Sequence, residues 1–595
     1  MDDRDPEGPA SKRRKLDPSG SISTSESKPE KQVSRETALR GLSRPISPPI
    51  VKRKKPLSSP SSLKAHSPTI NADGKSGHLG NEDTRSKQTV PSPVQLTRIH
   101  DLSPADNVDT VGLEDILGDP LIKECWNFNF LFDLDFVMTK FDPDVRNLVL
   151  LKVVHGFWRN DDDRKTNLQE RAERYPNIKL ISAYMPDPFG THHSKMLILF
   201  RHDNTAQIVI HTANMISKDW MNMTQAIWRS PLLPLRDSHA SAPASQAEPE
   251  TYPVGSGERF RIDLSRYLNA YGKLKDLTRE LTKYDFSAIR AAFIGSAPSR
   301  QKPTATAPGK HTSWGWLGLG EILSTIPSHW NGDAMSTPNI IVQISSIATL
   351  GQATTWLDNL QTILSHSSES ATISAPVSKH ANFFKKQTPK AKVNVPPPTI
   401  NIIFPTADEV RTSLDGYASG GSIHTKIQSA AQQKQLQYLR PLFCHWKHQD
   451  TPSSSSDRRK AFRGSAAPHI KTYIRFNDET QTSIDWAMIT SANLSKQAWG
   501  EVQNKQGEIR IQSWECGVVV WPDLFRHNDE KVKMVPVFGK DMPVGEEQSE
   551  EGGNTKVVGF RMPYDLPLSP YKADEEPWCA SSTYSEPDWK GVVWQ

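Results

Sequence analysis

The sequence predicts an α/β protein of two similar domains that face each other across a pseudo-twofold axis, each a mixed sheet flanked by helices. Three observations lead to this prediction. Strand-like apolar runs alternate with helical segments, and the N-terminal part is too polar to pack. The third observation is a repeat, a His-x-Lys pair followed by an Asn, which occurs twice: His193, Lys195 and Asn214, then His469, Lys471 and Asn493.

Residues 1–95 are predicted to form a disordered tail, because they are rich in Ser, Pro, Lys and Arg and almost free of aromatic residues. Two basic clusters lie within it, at residues 12–15 and 52–55. They are typical of nuclear import signals or of nonspecific contacts with nucleic acid, although solvated charge in a linker explains either cluster alone equally well. The clusters favour a nuclear location.

Whole-chain properties exclude several classes of protein. The chain has 595 residues and a net charge of +5, which permits an acidic partner such as DNA without requiring one. No apolar run approaches the roughly 20 residues that span a bilayer, and the N-terminus does not resemble a signal peptide. The four cysteines are widely scattered, which argues against a zinc site or a disulfide framework and suits a reducing compartment.

Order is predicted to begin near Leu113 with a strand-helix-strand unit, formed by residues 126–132, 135–141 and 147–154. A surface insertion at residues 232–255 precedes a helical segment at 260–281. The second half starts with a strand at 339–344 and carries two more loops, at 365–398 and 450–468. The predicted domains are therefore residues 96–330 and 331–595, each with one His-Lys-Asn unit.

The His-x-Lys triplet alone is weak evidence, because roughly one copy is expected by chance in a chain with this many histidines. This sequence contains four. Two of them, which start at His424 and His445, lie in polar surroundings and are interpreted as surface histidines beside solvated lysines. The copies at His193 and His469 instead lead into β-prone runs, at 196–200 and 472–476. A second apolar run leads to each Asn, and a Trp follows each Asn six residues later, as Trp220 and Trp499.

Two such half-sites can act together on one phosphodiester. A neutral imidazole is nucleophilic at phosphorus, and a second imidazole can protonate the leaving oxygen and then activate water. The two lysines and the two asparagines would donate to the nonbridging oxygens, a role that Mg²⁺ fills in many other phosphoryl-transfer sites. This chemistry needs no metal and no cofactor.

The pattern resembles the phospholipase D superfamily, whose repeated unit has an Asp five positions after the Lys. Here those positions are Phe200 and Phe476. Loss of both Asp residues, with Asn downstream, is the pattern of the tyrosyl-DNA phosphodiesterase branch. The phrases at residues 188–195, 209–214, 411–416 and 468–473 are similar to that family, and the resemblance runs from about residue 115 to the C-terminus.

The resemblance implies a role for each matching residue. His193 corresponds to the nucleophile and His469 to the general acid, while Gln225 and Glu515 match the residues that hold the two imidazoles, with either pairing open. Ser422 matches the peptide-binding side, where His424 stands in place of the Pro of the animal enzymes. The remaining matches lie along the DNA strand: Phe189, Ser345, Ser346, Ser495 and Lys496.

The expected function is therefore hydrolysis of the 3′-phosphotyrosyl bond between DNA and a trapped type IB topoisomerase, together with other 3′-end adducts, through a phosphohistidine. The expected partners are single- and double-stranded DNA 3′ ends that carry a tyrosyl peptide, with no membrane and with the enzyme as a monomer. Three alternatives stay open: a phospholipase or phosphatidyltransferase, another nuclease of the superfamily, and an inactive protein that binds DNA ends. The missing Asp residues and the lack of a membrane-binding helix disfavour the phospholipase.

Overall fold

A computed structural model describes the chain over seven segments: residues 89–236, 252–303, 313–328, 337–368, 398–449, 458–544 and 555–595. The predictions for residues 1–88 therefore lie outside the described residues, as do the central parts of the three predicted insertions. The residues of these seven segments belong to one compact unit. The sheets described below belong to that unit.

The strands are numbered in chain order over the described residues, and all but a few are short. Their bounds are β1 Thr89–Val90, β2 Val94–Leu96, β3 Ile122–Phe128, β4 Leu150–His155, β5 Ile178–Ser182, β6 Met196–Arg201, β7 Thr205–His211, β8 Ala226–Arg229, β9 Leu233–Pro234, β10 Ala292–Ser296, β11 Ser299–Gln301, β12 Asn339–Gln343, β13 Thr399–Ile403, β14 Phe443–Cys444, β15 Thr472–Phe476, β16 Ile484–Thr490, β17 Ile509–Ile511, β18 Glu515–Val520, β19 Lys531–Val537 and β20 Thr555–Arg561.

The α-helices of the described residues are numbered in the same way. Their bounds are α1 Glu114–Leu117, α2 Leu134–Lys140, α3 Asp163–Ala172, α4 Ser217–Met221, α5 Gly257–Ala270, α6 Lys275–Leu281, α7 Trp316–Leu323, α8 Thr355–Leu364, α9 Ala407–Arg411, α10 Tyr417–Gly420, α11 Ala430–Leu439 and α12 Lys496–Trp499. Two 3-10 turns add Arg440–Leu442 and Pro522–Phe525.

Two mixed sheets carry the same arrangement of strands, which confirms the predicted α/β class. In the first sheet β4 runs parallel to β3, and β3, β6, β7 and β8 then follow in antiparallel pairs. In the second sheet β13 runs parallel to β12, and β12, β15, β16 and β18 follow in the same antiparallel order. The His-Lys-Asn repeat of the sequence is thus matched by a repeat of topology.

One hydrophobic core lies between the two sheets, because alternate residues of their central strands point toward it. Ile198 and Ile210 from the first sheet pack in the same buried cluster as Ile474 and Ile489 from the second. The opposite faces of the sheets pack in two further clusters, with α2 on the first sheet and with α7 and α8 on the second. Period-two alternation in each strand therefore gives both sheets two buried faces.

The predicted elements of the first sheet are present, with shifted ends. The strand predicted at 126–132 ends at Phe128, and the helix predicted at 135–141 spans Leu134–Lys140, where the Asp133 side chain accepts a hydrogen bond from the Phe136 N–H. The helical segment predicted at 260–281 is two helices, α5 and α6. They are separated at Gly272, whose φ of 72° ends a right-handed helix.

Strand pairing departs from the predicted domain limits in two places. β1 pairs with β20 and β2 pairs with β8, so ordered structure starts before residue 95; Val94 and Leu96 are buried and could not remain in a solvated tail. β10 precedes the predicted boundary at residue 330, yet it pairs with β18 of the second sheet. Long-range pairing of this kind leaves no local signal in the sequence.

The two halves also exchange backbone hydrogen bonds next to the repeated motifs. The His193 N–H donates to the Trp514 carbonyl oxygen at 2.9 Å, and the Trp514 N–H donates to Thr191 at 2.9 Å. At the equivalent position in the second motif, the His469 N–H donates to the Thr224 carbonyl oxygen at 3.1 Å, and the Thr224 N–H donates to the Ala467 carbonyl oxygen at 3.0 Å. Each motif is therefore anchored on the opposite half.

The close approach of the halves requires a glycine at residue 190. A Cβ atom there would lie 2.1 Å from the backbone carbonyl oxygen of Gln512. We expect Gly190→Ala to lower the free energy of unfolding by about 1–3 kcal/mol, the usual range for overpacking a tight contact. The midpoint of urea unfolding measures the change.

Gly421→Ala is the matched control, because the nearest atom to a Cβ at that position is the flexible Lys218 Nζ, at 3.4 Å. Its unfolding midpoint should stay close to that of the unchanged protein. Equal midpoints for the two variants would show that the halves do not meet closely at Gly190.

Candidate active site

The repeated motifs lie at strand ends that face each other. His193 and Lys195 immediately precede β6, and Asn214 follows β7. Because β6 and β7 are antiparallel, with Met196 opposite Ile210, the start of one strand and the end of the other lie at the same edge of the sheet. The second sheet repeats this arrangement, with Thr472 opposite Ile489.

An open cleft with about 290 Å³ of free volume joins the two edges. It is lined by both histidines and both asparagines of the repeat, together with side chains of the surrounding loops. Those loop residues are Phe130, Leu131, Phe189, Thr191, Ser345, Ser346, Ala348, Gly421, Ser422, His424, Ser495, Gln497, Ser513 and Glu515.

The imidazole of His193 is held through Nδ1 by groups that accept hydrogen bonds. Nδ1 lies 2.9 Å from the carbonyl oxygen of Ser491 and 3.0 Å from Oε2 of Glu515. A carbonyl oxygen and a carboxylate can only accept, so the proton must lie on Nδ1. The lone pair of a neutral His193 is therefore on Nε2, the nitrogen that is left for a substrate.

The imidazole of His469 has different partners. Its Nδ1 lies 3.1 Å from Nε2 and 3.3 Å from Oε1 of the Gln225 amide, and 3.4 Å from Oδ2 of Asp219. An amide can accept from a protonated Nδ1 or donate to an unprotonated one, so Gln225 can serve either protonation state. The pairing that the sequence left open is thus His193 with Glu515 and His469 with Gln225.

The two lysines are fully buried behind the histidines in equivalent positions. Nζ of Lys195 donates to the His193 carbonyl oxygen at 3.0 Å, and Nζ of Lys471 donates to that of His469. Burial lowers the pKa of Lys195 to about 8. Burial, with the charge of Lys195 added, also lowers the pKa of Lys471 well below its usual value. The pocket therefore favours a bound anion, which would offset both charges.

The two asparagines are held at opposite ends of their amides. Oδ1 of Asn493 accepts from the backbone N–H groups of Ser345 and Ser346, at 3.0 and 2.9 Å, which leaves its NH₂ group toward the cleft. Nδ2 of Asn214 donates one of its two hydrogens to Oδ2 of Asp219 at 2.9 Å, so the second hydrogen can bind another acceptor. Oδ1 of Asn214 is buried without a hydrogen-bond partner.

Burial lowers the pKa of both histidines, but the neighbouring charges that add to burial or oppose it differ between the two. For His193 the charge of Lys195 adds to the effect of burial, while Glu515 opposes it. For His469 the pKa is well below the usual value, because burial is reinforced by Lys471 and Lys195. Both imidazoles therefore favour the neutral form until negative charge enters the cleft.

The predicted substrate-binding residues converge on this cleft with one exception. Phe189 is 75% exposed at its rim. Ser345, Ser346, Ser422 and Ser495 line it, whereas Lys496 does not. Ser495 caps the short helix α12 by accepting from the Ala498 N–H at 3.0 Å, which explains why the chain turns away from the cleft at Lys496.

The other two His-x-Lys triplets have different environments. His424 is exposed and lines the cleft. The surface interpretation was wrong for His445, which is buried and lies between the carboxylates of Glu409 and Glu575, at 3.3 and 2.9 Å. Burial alone would lower the pKa of His445, but the two carboxylates outweigh it and raise the pKa.

Sequence reasoning missed two side chains that lie against the catalytic histidines. Phe130, whose ring centre lies 5.7 Å from that of His193, was assigned to the interior of a strand that in fact ends at Phe128. Asp219, buried beside His469 and Asn214, was not singled out at all. Its signal was present, because Asp219 precedes Trp220 at the position where the second copy of the repeat has Ala498.

Some further features bear on the chemistry of the site. The seven described segments contain no cluster of three or more His, Cys, Asp or Glu side chains that could hold a metal ion. No helix among the described residues is long and apolar enough to cross a membrane. All four cysteines are free and buried.

Two equivalent sheets, with a His-Lys-Asn set at the facing edge of each, define a two-domain α/β fold of the phospholipase D type. Comparison with known proteins narrows the class. The sequence model of the tyrosyl-DNA phosphodiesterase family matches residues 93–572. The chain therefore belongs to the tyrosyl-DNA phosphodiesterase family and is an enzyme of that kind.

Individual relatives agree with this assignment. A probable tyrosyl-DNA phosphodiesterase of Schizosaccharomyces pombe is 29% identical, over 86% of this chain and 97% of the relative. Tyrosyl-DNA phosphodiesterase 1 of Drosophila melanogaster is 30% identical, over 82% of this chain and 74% of the relative. The crystal structure of the yeast tyrosyl-DNA phosphodiesterase shares the fold, with a TM-score of 0.54 and 21% identity over 83% of this chain and all of that one.

Proposed function

We propose that this enzyme hydrolyses the 3′-phosphotyrosyl bond between DNA and a trapped type IB topoisomerase, and other 3′-end adducts, through a covalent phosphohistidine. The observation that carries the proposal is the hydrogen bonding of His193. Because Ser491 and Glu515 accept from Nδ1, a neutral His193 presents the Nε2 lone pair to the cleft. A lone pair held in this way is what a nucleophile at phosphorus requires.

In the first step Nε2 of His193 attacks the phosphorus and the bond from phosphorus to the tyrosyl oxygen breaks. His469 donates its Nε2 proton to that oxygen, so that tyrosine leaves as the neutral phenol. The Gln225 amide suits this role, because its oxygen can accept from the protonated Nδ1 before transfer and its NH₂ group can donate to Nδ1 when that nitrogen is unprotonated.

In the second step water attacks the phosphorus and the bond to His193 Nε2 breaks, which returns the electron pair to the imidazole. His469, now neutral, takes the proton of the attacking water. The products are a DNA 3′-phosphate and both histidines in their starting states.

The phosphoryl oxygens would be bound by Lys195 and Lys471 and by the amide groups of Asn214 and Asn493. Buried donors that are held in place before the reaction stabilise developing charge strongly, because they need no reorganisation. Burial holds the pKa of both lysines down, and the negative charge of a phosphodiester would oppose that effect, so that binding and protonation support each other.

The exposed ring of Phe189 offers a stacking surface for a nucleobase. Stacking accepts any base, which suits an enzyme that acts on DNA ends of any sequence. We assign Ser345, Ser346, Ser495 and Lys496 to the DNA strand and Ser422 to the peptide side. Lys496 would then contact the strand beyond the cleft. We further propose that the enzyme acts as a monomer on single- and double-stranded 3′ ends.

The two histidines should fail in different ways when they are replaced. His193→Ala removes the nucleophile and should abolish both turnover and the covalent adduct. His469→Ala should still react with a good leaving group and then accumulate an enzyme-DNA adduct, since no base remains to activate water. Denaturing gels of reactions with 5′-labelled DNA measure both outcomes, and an adduct on His193→Ala would reverse the assignment.

The activity should be independent of metal ions, because the positive charge that the phosphate needs is supplied by Lys195 and Lys471. Release of tyrosine from a 3′-phosphotyrosyl oligonucleotide should be unchanged in EDTA. Lys195→Ser or Lys471→Ser should cost roughly 3 kcal/mol or more of transition-state stabilisation, the scale of one lost oxyanion donor. Loss of activity in EDTA that Mg²⁺ restores would rule this mechanism out.

The N-terminal tail should govern location and not chemistry, although most of it lies outside the described residues. We propose a nuclear enzyme whose import depends on the basic clusters at residues 12–15 and 52–55. Neutralising both clusters should move the protein toward the cytoplasm, as seen by microscopy of a fluorescent fusion, while cleavage at moderate salt stays unchanged. A folded variant with no activity at any salt concentration would place the tail in the site.

A further inference from the structure

One buried difference between the two copies of the repeat lies five residues after each Asn. Five residues after Asn214 the first copy has Asp219, whereas the second copy has Ala498 five residues after Asn493. The Asp219 side chain is fully buried on α4, behind the cleft. A buried carboxylate is costly unless its hydrogen bonds and charge partners compensate, so its contacts indicate what it does.

Asp219 contacts both a phosphate-binding residue and one of the two histidines. Its Oδ2 accepts from the backbone N–H of Asn214 at 2.7 Å and from Asn214 Nδ2 at 2.9 Å. The same oxygen lies 3.4 Å from Nδ1 of His469. The other oxygen, Oδ1, accepts from the Ser422 hydroxyl at 3.4 Å.

We propose that Asp219 is a positioning residue that fixes the amide of Asn214 and places a carboxylate beside His469, where it helps the imidazole to hold its proton before giving it to the leaving tyrosine. The proposal rests on the proposed function, in which His469 is the general acid. Asp219 acts through Asn214 and His469 and does not itself touch the substrate.

The orientation of Asn214 follows from the contact with Asp219. A carboxylate oxygen 2.9 Å from one end of an amide requires that end to be the NH₂ group, because two oxygens would repel each other. One N–H therefore points to Asp219, and the other remains for a phosphoryl oxygen. Without the carboxylate the amide could turn over and present Oδ1 to the phosphate.

The charge balance around His469 explains why a carboxylate is needed there. Three lysines near His469 lower its pKa: Lys471 on its own motif, Lys195 from the other half and Lys218 beside Asp219; protonation of His193 would lower it further. His424 on the cleft wall is a further titratable neighbour, and the Glu515 carboxylate is committed to His193. Asp219 is therefore the carboxylate nearest to Nδ1 of His469 among these groups, and its removal would leave the imidazolium facing cations alone.

The other histidine does not need this arrangement. His193 must be neutral to attack phosphorus, and Glu515 fixes its tautomer from a different position, at the start of β18. A protonated acid and a neutral nucleophile require different surroundings, although the repeat gives both imidazoles the same backbone.

Two substrates that differ only in the leaving group test the proposal. A 3′-phosphotyrosyl oligonucleotide needs a general acid, whereas the matching 4-nitrophenyl 3′-phosphodiester does not, because nitrophenolate is stable without a proton. In single turnovers, Asp219→Asn should slow tyrosine release about 100-fold more than it slows nitrophenol release, the usual scale of general acid catalysis, because nitrophenol release reports only the loss of the contact with Asn214. The loss should be largest at alkaline pH and should shrink toward acid pH, where His469 is protonated without help.

Two control variants separate charge from structure. Asp219→Glu keeps the charge, so its ratio of tyrosine to nitrophenol release should stay near that of the unchanged enzyme even if both rates fall. Glu515→Gln acts on the nucleophile, so it should slow both substrates by the same factor. A loss on Asp219→Asn that is equal for both substrates at every pH, or no loss at all, would overturn the proposal.

A further variant tests the charge if Asp219→Asn does not fold. Gln225→Glu places a carboxylate at the amide that now contacts Nδ1 of His469. In the Asp219→Ala background it should restore tyrosine release relative to nitrophenol release, and failure to restore it would count against a role for charge. If the unchanged enzyme released no tyrosine from the 3′-phosphotyrosyl substrate, the proposed function would fail instead.

Discussion

The site depends on the backbone hydrogen bonds that the two halves exchange. The His193 N–H donates to Trp514, and the His469 N–H donates to Thr224. Because Glu515 and Gln225 directly follow those two acceptors, each lies against the imidazole of the opposite half. One pair of reciprocal contacts therefore sets both the separation of the histidines and the partner of each, and neither half could form the site alone.

That geometry brings several charges together away from water. Both histidines line one cleft and both lysines are buried behind them, and burial moves the pKa of each of these four groups downward. Desolvated charges of one sign are costly until an opposite charge joins them. An anion in the cleft would supply that charge, so the arrangement favours an anionic ligand before any chemistry occurs. Burial raises the pKa of Asp219, and the hydrogen bond from the Asn214 N–H and the charges of three nearby lysines oppose that rise.

The sequence predicts the features that local patterns encode and misses those that depend on contacts between distant residues. Alternating apolar residues identify β6 and β15, and the repeated triplets identify His193 and His469, because both signals lie within a few consecutive residues. The pairing of Glu515 with His193 joins residues 322 positions apart, and no periodicity encodes it. The sequence did not predict the burial of His445 for the same reason, since its partners Glu409 and Glu575 come from other parts of the chain.

A duplicated fold supplies two equivalent histidines, yet hydrolysis through a covalent intermediate needs two unequal ones. The backbone cannot make them unequal, because β6–β7 and β15–β16 present both motifs in the same way. The difference must therefore come from side chains at equivalent positions. Glu515 stands where the other half has Gln225, and Asp219 stands where the other half has Ala498. Each imidazole thus lies beside one carboxylate. His193 is within hydrogen-bond distance of Glu515, whereas the carboxylate beside His469, that of Asp219, also accepts a hydrogen bond from Asn214. A firmly held tautomer suits attack at phosphorus, and a looser charge contact beside an amide suits a group that must release a proton and then take one back.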